Sequence, residues 1–184
     1  MEAFEGIVKR IVNAFNGAKV EYMLTGALAA SHYGLPRTTT DIDIVVKVFQ
    51  KDVQTKLVSA LRKAELWVDE KKIDAAFKSG FRIVTFNDTK SPFTVDIIFS
   101  RRRLKKKADT ILGLPTFYQT PEELILAKLR MIKATILKER ALKDEDDVKA
   151  ILKFTKVDIN AIKKQAKRNK TLSILETMMP QSIS

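Results

Sequence analysis

The 184-residue chain contains no cysteine, which excludes disulfides, thiolate metal centres and cysteine nucleophiles together. Histidine is nearly as scarce. A lone His32 cannot build a multi-histidine metal centre, and it reads as a helix-surface or core residue and not as a base. Long apolar runs are missing as well: the longest, such as DIDIVVKVF, are broken by charge and fall short of the roughly 20 residues of a membrane span. No membrane partner is expected. The first residues, MEAFEGIVKR, lack the basic-then-apolar layout of a secretory signal, so a cytoplasmic location is the expectation. Acidic residues are also short in supply, at 22 against 34 basic ones, leaving a formal net charge of +12. Such an excess favours nucleic acid or nucleotide phosphates as partners; the competing reading is a lysine-rich surface kept for solubility.

What is present divides along the chain. Residues 3–15 place Phe4, Ile7, Val8, Ile11, Val12 and Phe15 at helical spacing. Tyr22 to Thr25 reads as a short buried strand that Gly26 breaks, and residues 27–33 as a small-residue helix ended by Gly34 and Pro36. Asp41–Val48 reads as a second strand, and residues 51–65 return to helical period. Phe81–Phe86 and Phe93–Phe99, separated by the turn-rich Asn87–Pro92, predict an antiparallel hairpin. A short element near Thr110–Tyr118 is interrupted at Gly113 and Pro115. From Thr120, a good N-cap followed by Pro121 and two glutamates, the chain reads as helical, with further helices over Asp144–Phe154 and Asp158–Met178. The expected class is α+β: a small mixed β-sheet flanked by helices over residues 1–118, and a helical C-terminal part over 119–184.

The chemistry concentrates between Thr25 and Val46. Asp41 and Asp43 lie two residues apart on a predicted strand, so both point to one face while Ile42 and Ile44 point to the other. Two carboxylates on one face of an apolar strand repel unless cations sit between them. Hard oxygen ligands in small number suit Mg²⁺, with Mn²⁺ as the alternative. Asp96 is likewise the lone charge in an apolar strand. If its strand lies beside Asp41–Val48, the three acids converge on one pair of ions that would activate an incoming hydroxyl and stabilise a leaving pyrophosphate. Upstream, Thr25-Gly26-Ala27 sits where a strand turns into a helix, a place for phosphate to approach the backbone and free N–H groups. Ser31 lies a turn further on, Arg37 is placed to grip a triphosphate, and Thr38, Thr39 and Thr40 are hydroxyl donors in the same loop. Against these stand plainer readings: a strand-start cap for the paired acids, an edge carboxylate for Asp96, a loop ion pair for Arg37, and structural roles for Thr25 and Ser31.

Taken together, Gly26-Ala27, a 13-residue gap and Asp41-Ile42-Asp43-Ile44 resemble the motif of the DNA polymerase β-type nucleotidyltransferase superfamily, and Asp96 resembles its third acid. Within it the chain is most similar to small prokaryotic AbiEii-toxin-like nucleotidyltransferases. The matching segments are Arg37–Asp43, Pro121–Leu129, and the set Arg140, Lys143-Asp144 and Asp147. Where the superfamily usually has Gly-Gly or Gly-Ser, this chain has Gly26-Ala27, which removes a hydroxyl and a flexible position. The resemblance implies a nucleotidyltransferase fold and the transfer of a nucleoside monophosphate from an NTP to a hydroxyl acceptor. It further implies two Mg²⁺ ions on Asp41, Asp43 and Asp96, with tRNA or another RNA as acceptor and an antitoxin-like protein as partner. Thr25, Gly26, Ala27, Ser31, Arg37, Thr40 and Lys128 are the expected nucleotide contacts, Lys128 being otherwise a snorkelling surface lysine. The basic run Arg101–Lys107 is a candidate path for a nucleic-acid backbone, or else a solvated loop. The other function class is a catalytically silent member of the fold that binds nucleotide or nucleic acid, or acts within a toxin–antitoxin pair.

Overall fold

The computed structural model describes residues 2–48, 52–79, 83–136 and 138–179. Its elements are α1 (Glu2–Gly17), β1 (Tyr22–Leu24), α2 (Gly26–Tyr33), β2 (Asp41–Lys47), α3 (Val53–Lys63), α4 (Glu70–Ser79), β3 (Ile83–Asn87), β4 (Thr94–Ser100), β5 (Lys106–Ile111), β6 (Leu114–Gln119), α5 (Pro121–Ala134), α6 (Lys138–Phe154), α7 (Ile159–Arg168) and α8 (Leu172–Met178). The α+β class expected from the sequence is the class observed. The chain forms two compact units, one of residues 1–28 and 38–119, the other of residues 29–37 and 120–184.

The first unit is built on a six-stranded sheet in the order β3-β4-β2-β1-β6-β5. Two-residue alternation decides its two faces. Ile42, Ile44 and Val46 of β2 and Val95, Ile97 and Phe99 of β4 are buried, while Asp41, Asp43 and Asp96 between them are only half-buried. On α1, Ile7, Val8, Ile11, Val12 and Phe15 form one buried stripe; the helix packs on α3, and the Phe15 ring lies 5.3 Å from that of Tyr22 on β1. Each fully buried aliphatic side chain of this layer contributes about 1.5–3 kcal/mol. That energy fixes the strand register, and with it the positions of the acids, because a one-residue slip would bury Asp41 and Asp43.

Three local features depart from the sequence reading. Residues 70–79 form α4 although most are charged or small; Ile73 and Ala76 are buried, and Phe77 meets Phe99 edge to face at 5.1 Å. The element near Thr110–Tyr118 is the turn and most of the second strand of a β5–β6 hairpin. Its two-residue loop holds Leu112 (φ 51°) and Gly113 (φ 80°), the paired positive angles of a type I′ turn. The Lys106-Lys107 end of the basic run is therefore strand, not loop. Of the predicted hairpin, Phe81 lies outside the described residues and β3 begins at Ile83; β3 and β4 do pair antiparallel.

In the second unit α5 packs on α6, α7 and α8. Leu124, Ile125, Leu129, Val148, Ile151, Ile162 and Leu175 are buried there. Thr120 stands at the N-cap of α5 with Pro121 in the first turn, as anticipated, but its side chain makes no capping bond; its carbonyl accepts from the Leu124 N–H at 3.0 Å. The single helix expected over Asp158–Met178 is two, divided where Lys170 takes a φ of 56°. No helix among the described residues is long and apolar enough to cross a membrane.

Candidate active site

The site begins with strand pairing. β2 and β4 run parallel, with Asp43 opposite Asp96 and Asp41 opposite Thr94; β3 runs antiparallel to β4 and sets Thr85 opposite Asp96. All three acids therefore project from one face of neighbouring strands. One carboxylate oxygen from each of Asp41, Asp43 and Asp96 lies within 4.8 Å of the others. Two ionised carboxylates at that separation repel by about 1 kcal/mol in bulk water and about 3.5 kcal/mol at an effective dielectric near 20. Hydroxyl donors offset part of this. Thr39 Oγ1 donates to Asp41 Oδ1 at 2.9 Å, a longer contact of 3.4 Å comes from Thr40 Oγ1, and Thr85 Oγ1 donates to Asp96 Oδ1 at 2.6 Å. These bonds fall on Oδ1 in both acids. Three half-buried carboxylates that converge, each offering a hard oxygen, fit a small divalent ion.

Gly26 is held to the same point. Its φ is +58°, and a Cβ built there would lie 1.9 Å from Asp43 Oδ2 and 2.9 Å from the Asp43 Cβ. Only a glycine lets the start of α2 come this close to the carboxylate. The Thr25 N–H donates to the Asp43 carbonyl at 3.0 Å, which ties the loop to β2. The Thr25 hydroxyl is buried and turned away to Gln119 Oε1, at 2.5 Å, and Ala27 is buried. Thus Gly26, Thr40, Asp41, Asp43 and Asp96 come together in the sheet unit.

The remaining expected contacts belong to the helical unit and carry protein partners there. The Arg37 N–H donates to Ser31 Oγ at 3.2 Å. The Arg37 guanidinium grips Asp147, with Nε 2.9 Å from Oδ1 and Nη2 3.1 Å from Oδ2. Lys128, taken from the sequence as a phosphate contact or a snorkelling surface residue, is 5% exposed. Its Nζ lies 2.7 Å from Asp147 Oδ2 and 2.8 Å from Asp144 Oδ1. Asp144 and Asp147 thus serve as ion-pair partners. Arg140 falls on α6, but its side chain lies outside the described residues. The sequence reading missed Thr85, whose only signal is its register opposite Asp96.

No protein-family model and no curated protein sequence matches the chain. Solved structures do. An antigenic nucleotidyltransferase-like protein from Paracoccidioides brasiliensis is similar with a TM-score of 0.58 at 14% identity, over 95% of this chain and 93% of that one. The antibiotic-resistance factor ANT(2'')-Ia is similar in its solution structure with a TM-score of 0.61 at 10% identity, over 96% of both chains. The crystal structure of ANT(2'')-Ia in complex with adenylyl-2''-tobramycin gives a TM-score of 0.60 at 9% identity, over 96% and 97%. At these identities the likeness is one of backbone architecture, and it extends over nearly the whole length of each partner: this chain has the nucleotidyltransferase fold.

Proposed function

We propose that the protein is a divalent-metal-dependent nucleotidyltransferase that moves a nucleoside monophosphate from an NTP to a hydroxyl group on RNA. The observation that carries this reading is the register of Asp43 against Asp96 on parallel strands, with Asp41 on the same face. Asp41 and Asp43 would hold both Mg²⁺ ions, and Asp96 would hold the ion that activates the acceptor. A pair of divalent cations bound there supplies Lewis-acid activation of the acceptor hydroxyl and charge neutralisation on the triphosphate. The acceptor oxygen bonds to the α-phosphorus, the bond from that phosphorus to the α–β bridging oxygen breaks, pyrophosphate leaves, and the hydroxyl proton passes through Asp96 to water. Thr39 and Thr85 fix the rotamers of Asp41 and Asp96. Gly26 and the N–H groups at the start of α2 receive phosphate oxygens, with Ala27 and Thr25 shaping the turn and Thr40 beside it.

Arg37, Ser31 and Lys128 complete the proposed nucleotide contacts. RNA as acceptor is supported by the net charge of +12. A tRNA substrate and an antitoxin-like protein partner rest on the AbiEii-like segments Arg37–Asp43 and Pro121–Leu129. The test is Mg²⁺-dependent transfer of α-labelled nucleotide to total RNA, alongside a thermal scan with and without Mg²⁺. Wild-type protein should label RNA and melt higher with the metal. Asp43→Ala should lose both effects, and an unlabelled RNA pool with each of the four NTPs would sink the reading.

A further inference from the structure

The acid-bearing face of the sheet continues past the acids, and its chemistry reverses along β2. Beyond Asp41 and Asp43 that face carries Val45 and then Lys47. Val45, Met23 and Leu104 form a small buried cluster with Ile98 and Phe117 packed against it. Leu104 reaches the cluster because the chain turns back after β4: the Arg102 N–H donates to Ser100 Oγ at 3.2 Å. Past this apolar bridge lies a hollow of about 520 Å³, lined by Glu21, Lys47, Arg101, Arg103, Leu104 and Lys106. Four cations face one carboxylate in it. Glu21 pairs with Lys47 at 3.0 Å and more distantly with Lys106 at 3.8 Å. Arg101 and Arg103 have no carboxylate partner among the described residues.

A lysine-rich surface kept for solubility would spread its charges outward. Here the Lys47 and Lys106 side chains are 27% and 22% exposed. The Lys106 ammonium sits 4.1 Å over the Phe117 ring, and burial, with Lys47 adding to it and Glu21 opposing, holds it below the ordinary lysine range. Cations crowded and partly dehydrated in this way are stabilised by an anion. Its source follows from distance. Lys47 is four residues beyond Asp43 on an extended strand, or about 13 Å at about 3.3 Å per residue. A triphosphate whose α-phosphorus lies at the acids does not extend that far, whereas an acceptor strand repeats its phosphates every few ångströms.

We propose that this hollow, with Lys47, Arg101, Arg103 and Lys106 as its donors, is an anion site that holds a backbone phosphate of the RNA acceptor a few nucleotides from the reacting hydroxyl. The identity of the acceptor rests on the function proposed above; the site itself does not. The test measures binding of a short fluorescein-labelled oligouridylate to full-length protein by anisotropy, between about 50 and 200 mM salt. Arg101→Ala/Arg103→Ala is expected to weaken binding at least about tenfold. It should also flatten the log K against log salt slope by about 1.4, two contacts at about 0.7 each. The two arginines stand on an exposed turn, so the variant should melt as wild type does. Excess Mg·ATP should leave the RNA bound. Unchanged affinity and slope in the double variant would overturn the site, as would full displacement of the RNA by Mg·ATP. Should transfer activity be absent while these binding results hold, the enzyme reading fails and the anion site stands.

Discussion

Replacing Gly26 by alanine combines a backbone penalty with a collision, and the two can be separated. A φ of +58° is left-handed, which strains an alanine by about 1–2 kcal/mol. At about 2–4 °C per kcal/mol for a chain of this size, Tm should fall by about 2–8 °C. The collision is the functional part. The new Cβ would stand 1.9 Å from Asp43 Oδ2, where ordinary contact begins at 3.4 Å, so the carboxylate must retreat by about 1.5 Å. Rotating the Asp43 side chain does not suffice, because its Cβ, which no rotamer moves, is only 2.9 Å away. Either β2 or the start of α2 shifts, and the acid cluster opens. Displacements of about 1 Å at a reacting centre reduce rates by about 100-fold, so nucleotide transfer should fall at least that far.

Gly113→Ala provides the control. That glycine also has a positive φ, 80°, but a Cβ there meets nothing within 4 Å. Both variants would be followed by a thermal scan and by single-turnover transfer of α-labelled nucleotide. Both should lose stability, and only Gly26→Ala should lose activity. A folded Gly26→Ala protein with wild-type turnover would refute the claim that Gly26 exists to admit the Asp43 carboxylate.

Two further outcomes follow from the contacts around the acids and inside the helical unit. Thr85→Val removes the hydroxyl that orients Asp96, a charge-assisted bond of about 1.5–3 kcal/mol, and should lower kcat about tenfold or more while Thr85→Ser restores it; equal rates in the two variants would leave Thr85 without a positioning role. Lys128→Met leaves the half-buried Asp144 without its ammonium partner and the buried Asp147 with Arg37 alone. Urea unfolding followed by circular dichroism should show a loss of about 1–3 kcal/mol, and a midpoint unchanged from wild type would mean that the pair contributes nothing to stability.

The parts of this site that could be read from the sequence are those whose geometry is local. Asp41 and Asp43 share a face because a strand repeats every two residues, and the glycine that ends β1 marks a break without reference to any distant element. What needs tertiary pairing was legible only as a condition. Asp96 joins the cluster because β4 lies parallel to β2 in one register, and nothing within Phe93–Phe99 sets that register. Thr85 is invisible for the same reason, since a threonine in a strand is an ordinary β-former until its neighbour is known. Arg37 and Lys128 were recognisable as cations with work to do, but their partner Asp147 lies 110 residues from Arg37. Between a buried carboxylate and a phosphate, side-chain type alone does not choose. The missed division of the last helix has a different origin: the chain turns through Lys170 at positive φ, where a glycine would have announced the stop. The basic run shows how far such limits extend. Its charge was plain in the sequence, yet Lys47 and Glu21 join it only because β1 and β2 pair beside the returning loop, and that pairing converts a charged segment into a lined hollow on the face that carries the acids.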